Sequence, residues 1–213
     1  MFMRNAILAL ATCMSLLPFA AAEASAHQRT AGGPHSGIAI AEISHGEMIM
    51  MAQYRDRIID LASAATDTNE PFRRVLNYAQ IQYAYCFWGK MPGGVTDETS
   101  PFNECSHAYL AATKAVLLQM RGMPREAAVA GEIISSIDAG MVLRGLALIT
   151  CEFSGEAFNT ADVVRPRWSD VPTHAASMAS VTAMGALLGF ALIGLRWAIR
   201  RAAPLSRSQN RTD

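Results

Sequence analysis

The polar and apolar residues between positions 44 and 151 alternate with a helical period. In four successive stretches the apolar residues recur every three or four positions, which is typical of amphipathic helices that bury one face. The four predicted buried faces comprise Met51, Tyr54, Ile58, Leu61 and Ala65; Phe72, Leu76, Ala79, Tyr83 and Cys86; Cys105, Tyr109, Ala112, Val116 and Met120; and Ala130, Ile134, Ile137, Met141 and Leu148. Four such helices with short connections predict an all-α fold, an up-and-down helical bundle of about four helices over residues 44–151.

Residues with defined roles at helix ends separate these stretches. Ser44 stands three positions before Glu47, which predicts a capping box at the start of the first helix. A glycine-rich loop at residues 89–99 separates the second helix from the third. Gly140 and Gly145 interrupt the fourth stretch, so its helix is expected to be less regular near its end.

A continuous apolar run occupies residues 175–195 and contains no charged residue. Its length matches the ~20 residues that a helix needs to cross a bilayer. Five arginines follow in residues 196–213, namely Arg196, Arg200, Arg201, Arg207 and Arg211. Because arginine is enriched on the cytoplasmic side, residues 196–213 are predicted to form a basic cytoplasmic tail. The sequence therefore predicts a single-pass protein of the cell (inner) membrane, with most of the chain periplasmic.

Residues 1–26 have the pattern of a secretory signal peptide, an apolar core followed by small residues at two cleavage sites. Cleavage is expected after Ala22 or after Ala26. The alternative is an uncleaved signal anchor, which would leave both termini in the cytoplasm. Residues 27–43 are rich in glycine and predict an irregular arm. The helical period fades in residues 152–174, which predict a stalk that leads to the membrane.

The charge distribution bears on the partners of the domain outside the membrane. The whole chain carries 18 basic and 18 acidic residues and is formally neutral. Residues 27–173 alone contain 12 Lys and Arg against 16 Asp and Glu, a net charge of −4. Because nucleic-acid binding requires a positive surface, this composition argues against a nucleic acid as partner. The basic tail, by contrast, is placed where anionic lipid headgroups attract cations.

Three cysteines follow the signal peptide. In an oxidising compartment an odd count means one disulfide and one remaining thiol, or an intermolecular bridge. Cys86 and Cys105 flank one interhelical loop and are the predicted pair, with a structural role. In an up-and-down bundle, the last turn of the fourth helix lies at the same end of the bundle as the first turns of the first and third helices. Cys151 is therefore expected at that same end, with His45 and His107 nearby.

The candidate metal ligands lie close to the predicted mature N-terminus. Cleavage after Ala26 would make His27 the first residue, whose amine and ring nitrogen could both bind one ion. His35 and His45 follow, and Met48 lies on the same helical face as His45. Imidazole and thioether ligands together suit copper, and thioether favours Cu(I). His27, His35, His45 and Met48 are therefore the predicted metal-binding residues.

The sequence contains no recognised catalytic or nucleotide-binding motif. A nucleophile–base pair between Cys151 and a histidine is the weaker, catalytic alternative. Gly185 and Gly189 form a GxxxG motif that would allow a homodimer through the membrane helix. The favoured expectation is a non-enzymatic accessory protein that presents its helical domain to a protein partner outside the cytoplasm. The alternative is a periplasmic copper-handling protein.

Overall fold

The computed structural model describes residues 37–202. Four of its α-helices form a bundle, which confirms the predicted all-α fold class. These helices are α1 (His45–Ala64), α2 (Glu70–Tyr85), α3 (Asn103–Met120) and α4 (Ala127–Leu143). A fifth helix, α5 (Ala175–Ala202), follows the bundle, and two short strands, β1 (Ala39–Ile40) and β2 (Phe158–Asn159), pair antiparallel.

Helix α1 begins with the capping box that the sequence predicts. The backbone N–H of Glu47 donates to the Ser44 hydroxyl, and the Ser44 N–H donates to the Glu47 carboxylate at 3.0 Å. The second carboxylate oxygen of Glu47 accepts a 2.7 Å hydrogen bond from the ammonium group of Lys114 on α3. One carboxylate therefore both caps α1 and attaches it to the neighbouring helix.

Helix α3 is the centre of the bundle. Thirteen of its 18 residues are buried, and it packs against α1, α2 and α4. Small residues such as Ala108, Ala111 and Ala112 are fully enclosed, so neighbouring helices can approach it closely. Its burial on nearly every side is wider than the single stripe predicted from the sequence.

The end of α4 differs from the sequence prediction. The helix ends at Leu143, and Gly145 takes up a left-handed backbone conformation with φ of 65°. This turn removes the following residues from the helical face, so Leu146 is buried while Leu148, predicted to be buried, is exposed. Glycine adopts positive φ without the steric penalty of a side chain, which is why the helix stops here.

Residues 152–174, predicted to be a stalk, lie against the bundle at several points. Phe158 in β2 pairs with Ile40 in β1, and both side chains are buried. The Gln82 side chain forms hydrogen bonds with both backbone groups of Val164. This segment therefore belongs to the folded domain. Its contacts connect residues far apart in sequence, so no helical period in the sequence reveals them.

Helix α5 is the one helix within residues 37–202 that is long and apolar enough to cross a membrane. Its first turns are attached to the bundle. His174 hydrogen-bonds to the Asp97 carboxylate at 3.0 Å, and Val181 packs against the cluster of Met91, Phe102 and Val171. Gly185 and Gly189 lie further along α5.

We use the term anchor end for the end of the bundle from which α5 departs. It comprises the first turns of α1 and α3, the last turns of α2 and α4, and the loop at residues 87–102 that contacts α5. The predicted disulfide lies here, because the structure joins Cys86, at the end of α2, to Cys105, in the first turn of α3.

Candidate metal centre

Three side chains that can bind a metal ion converge at the anchor end. His45 is the first residue of α1, His107 lies near the start of α3, and Cys151 lies in the loop after α4. One potential ligand atom from each residue lies within 4.8 Å of the other two. The up-and-down topology brings these three elements together although His45 and Cys151 are more than 100 residues apart.

The backbone around His45 is fixed by close contact with the segment after α4. The N–H of Gly46 donates a 3.1 Å hydrogen bond to the carbonyl oxygen of Ile149. A side chain at position 46 would overlap the carbonyl oxygen of Leu146. Because only glycine allows this approach, Gly46 keeps His45 beside the loop that carries Cys151.

Ser154 connects His45 and Cys151 through a single hydroxyl group. Its oxygen accepts hydrogen bonds from the backbone N–H of Cys151 at 2.8 Å and from that of His45 at 3.1 Å. The hydroxyl in turn lies 3.4 Å from the Cys151 sulfur, close enough to donate to it. This arrangement holds the loop after α4 against the start of α1 and orients the thiol toward the histidines.

The two imidazoles are withdrawn from solvent. His45 and His107 are both buried, and the Nδ1 atom of His45 has no hydrogen-bond partner among the described residues. Burial lowers the pKa of His107 to about 4, and the nearby His45 ring acts in the same direction, while a hydrogen bond with the backbone of Ile43 acts to raise it. His107 is therefore a neutral imidazole at physiological pH, with a ring nitrogen free to bind a metal.

Cys151 is the most accessible member of the group and is only partly buried. Its sulfur lies 3.1 Å from Nε2 of His107, and no described cysteine is paired with it. Burial keeps the His107 ring neutral, so its Nε2 and the Cys151 sulfur are two potential metal-ligand atoms in direct contact.

The structure brings one of the four predicted metal ligands into the cluster. His45 belongs to the cluster, while His27 and His35 lie outside the described residues. Met48 is fully buried on α1, one turn after His45. His107 and Cys151 were expected at this end but not among the ligands.

The topology of the bundle was the signal that could have identified the complete set of ligands. It places His107 and Cys151 at one end of the bundle with His45, whereas the predicted ligand set depends on the spacing of residues along the chain. Comparison with protein-family models, curated proteins and solved structures finds no match to this chain.

Proposed function

We propose that this chain is a non-enzymatic, membrane-anchored accessory protein that binds copper outside the cytoplasm. One observation carries the proposal: two buried imidazoles and one thiol, drawn from three different elements, meet within 4.8 Å. Polar groups are rarely buried without partners, because each unpaired group costs free energy. The unpartnered Nδ1 atom of His45 is explained if this ring is arranged for a ligand that binds at the cluster.

The chemistry of the three ligands favours copper over other metals. A thiolate with two imidazoles is a soft to borderline donor set, which suits copper and zinc and disfavours magnesium and calcium. Structural zinc sites almost always have four protein ligands, whereas zinc sites with three protein ligands are catalytic ones that keep an open position for water. Within residues 37–202 the group of His, Cys, Asp and Glu side chains at this position has three members. Three-ligand His₂Cys sites are typical of copper proteins.

Two features support a location outside the cytoplasm. Arg200 and Arg201 follow the apolar part of α5, and arginines at one end of a span favour the cytoplasmic side for that end. The bundle would then lie on the opposite side of the membrane. The Cys86–Cys105 disulfide fits this assignment, because disulfides persist in oxidising compartments.

Burial of the site favours binding of a small ion over chemistry on an organic substrate. Both histidines are enclosed, and only Cys151 is partly exposed. A copper ion could enter and leave past the Cys151 sulfur, whereas a larger molecule would not reach the ring nitrogens. The accessory role would then be to exchange the ion with a protein partner at Cys151.

Competition for Cu(I) tests the proposal directly. The full-length protein, purified in detergent under reducing conditions, is titrated against a colorimetric Cu(I) chelator. We expect one Cu(I) per chain, and an affinity at least 100-fold lower in Cys151→Ser and in His107→Gln.

The matched control is His174→Gln, because His174 is a partly buried histidine at the same end of the bundle and outside the cluster. This variant should bind Cu(I) like the wild type. Equal affinities in all four proteins would contradict the proposal. Circular dichroism of each variant shows whether a loss of binding reflects a loss of fold.

A further inference from the structure

An apolar surface at the anchor end lacks any cover in the described part of the chain. The segment 142–149 exposes Val142, Leu143 and Leu148, with 85% of Leu143 and 92% of Leu148 accessible to solvent. It contains no acidic residue and one exposed cation, Arg144. Contiguous apolar surface of this kind marks an interaction site in a folded protein.

The backbone presents these side chains outward as a consequence of the turn at Gly145. Leu146 points into the core, while Leu143 before it and Leu148 after it extend into solvent. The Gly46 N–H holds the Ile149 carbonyl, so the segment is attached to the start of α1. Its exposure is therefore a feature of the folded domain and does not reflect a frayed helix end.

The position of the segment identifies what can cover it. It lies at the anchor end, from which α5 also departs. Val181, in the second turn of α5, still contacts the bundle. The uncharged run 175–195, which ends before Arg196, has the ~20 residues that span a bilayer, so the hydrocarbon begins at the first turns of α5, where Val181 contacts the bundle. The anchor end therefore faces the membrane surface at close range.

We propose that the segment 142–149 inserts into the interfacial region of the bilayer and forms a second membrane contact beside α5. Leu143 and Leu148 would be buried among acyl chains, and Arg144 would lie at the level of the lipid phosphates, as basic residues in interfacial segments do. This contact would fix the orientation of the bundle on the membrane. It would also place Cys151, two residues after Ile149, close to the lipid surface, although the proposal stands whether or not copper binds.

Quenching by brominated lipid tests this contact. The full-length protein is reconstituted into vesicles of phosphatidylcholine and phosphatidylglycerol, with or without bromine on the acyl chains. Tryptophan is introduced by Leu148→Trp, and the emission of the parent protein, which contains Trp88, Trp168 and Trp197, is subtracted.

The matched control is Leu118→Trp. Leu118 is also an exposed leucine, 47% accessible, but it lies near the end of α3 and so at the opposite end of the bundle. We expect brominated lipid to quench the added emission of Leu148→Trp several-fold and to leave that of Leu118→Trp unchanged. Leu143→Trp should behave like Leu148→Trp, so the test does not depend on one substitution.

Two results would overturn the proposal. Equal, weak quenching at both positions would show that the segment stays in water. A blue-shifted but unquenched emission from Leu148→Trp, varying with the protein-to-lipid ratio, would show that a second copy of the chain covers the surface.

Discussion

The sulfur of Cys151 lies 3.1 Å from Nε2 of His107 and so joins the loop after α4 to the start of α3. With His45 this contact closes a triangle of potential ligand atoms around one point at the anchor end. Neither residue has a charged partner among the described residues at that point, and this arrangement is the basis of the proposed copper site.

Copper should protect Cys151 from alkylation. The thiol is partly exposed and unpaired, so a maleimide should modify it in the native, metal-free protein. At a Cu(I) concentration of 100 times the dissociation constant, the free site is reduced roughly 100-fold, and the modification rate should fall by the same factor. Mass spectrometry at timed intervals measures the rate. An unchanged rate with saturating Cu(I) would show that the thiol is not a ligand.

Replacing Gly46 by alanine should destabilise the protein by about 1–3 kcal/mol, as overpacking does. The added methyl group would overlap the carbonyl oxygen of Leu146, and the backbone near His45 would have to move. Gly131→Ala is the control, because a methyl group there meets no atom within 4 Å on helix α4. It should stabilise by up to about 1 kcal/mol, since alanine is the better helix former. Chemical denaturation of both variants compares the two changes, and equal effects would contradict the contact at Gly46.

Glu47 should make the folded state sensitive to acid. Burial alone would raise the pKa of this carboxyl, but hydrogen bonds from Lys114 and from the Ser44 backbone outweigh burial and lower the pKa below its ordinary value of 4.5. Stabilisation by a depressed pKa is complete above 4.5 and is lost as the pH falls through the lower, folded-state pKa.

Glu47→Gln should therefore be less stable than the wild type at pH 7, and the difference should shrink as the pH falls well below 4.5. Denaturation curves at pH 7 and pH 3 measure this change. Lys114→Met serves as the companion variant, because it removes the same ion pair from the other side. A difference between wild type and Glu47→Gln that is the same at both pH values would show that the ion pair contributes nothing.

Removing the Cys86–Cys105 disulfide should cost about 3 kcal/mol. The bond closes a loop with a sequence separation of 19 residues, and the cost follows from the chain entropy that the open loop regains in the unfolded state. The double variant Cys86→Ala/Cys105→Ala leaves Cys151 in place, so denaturation isolates the effect of the bond. Stability equal to that of the wild type would exclude a structural role for the disulfide.

Local sequence signals predicted much of this fold. The capping box at Ser44 depends on residues three positions apart, and the Cys86–Cys105 pair flanks a single loop. The apolar run of α5 is continuous in sequence. Each of these features could be recognised because its physical cause lies within a short stretch of chain.

The remaining features depend on contacts between distant residues. The exposure of Leu148 follows from the left-handed turn at Gly145, which helical periodicity does not reveal. The hydrogen bonds between Gln82 and Val164 leave no periodic pattern in the sequence, which is why residues 152–174 are predicted to be a stalk. The ligand set could be predicted only in part, because the distance between His45 and Cys151 is set by Gly46 and Ser154, whose roles appear only in the packed structure.

X-ray absorption spectroscopy of the Cu(I)-loaded, full-length protein is the most direct test of the copper site. We predict a copper ion bound by one sulfur and two imidazole nitrogens in the wild type, with the sulfur contribution lost in Cys151→Ser. A spectrum with only nitrogen and oxygen neighbours would contradict the proposed site, as would a sulfur contribution that survives in Cys151→Ser.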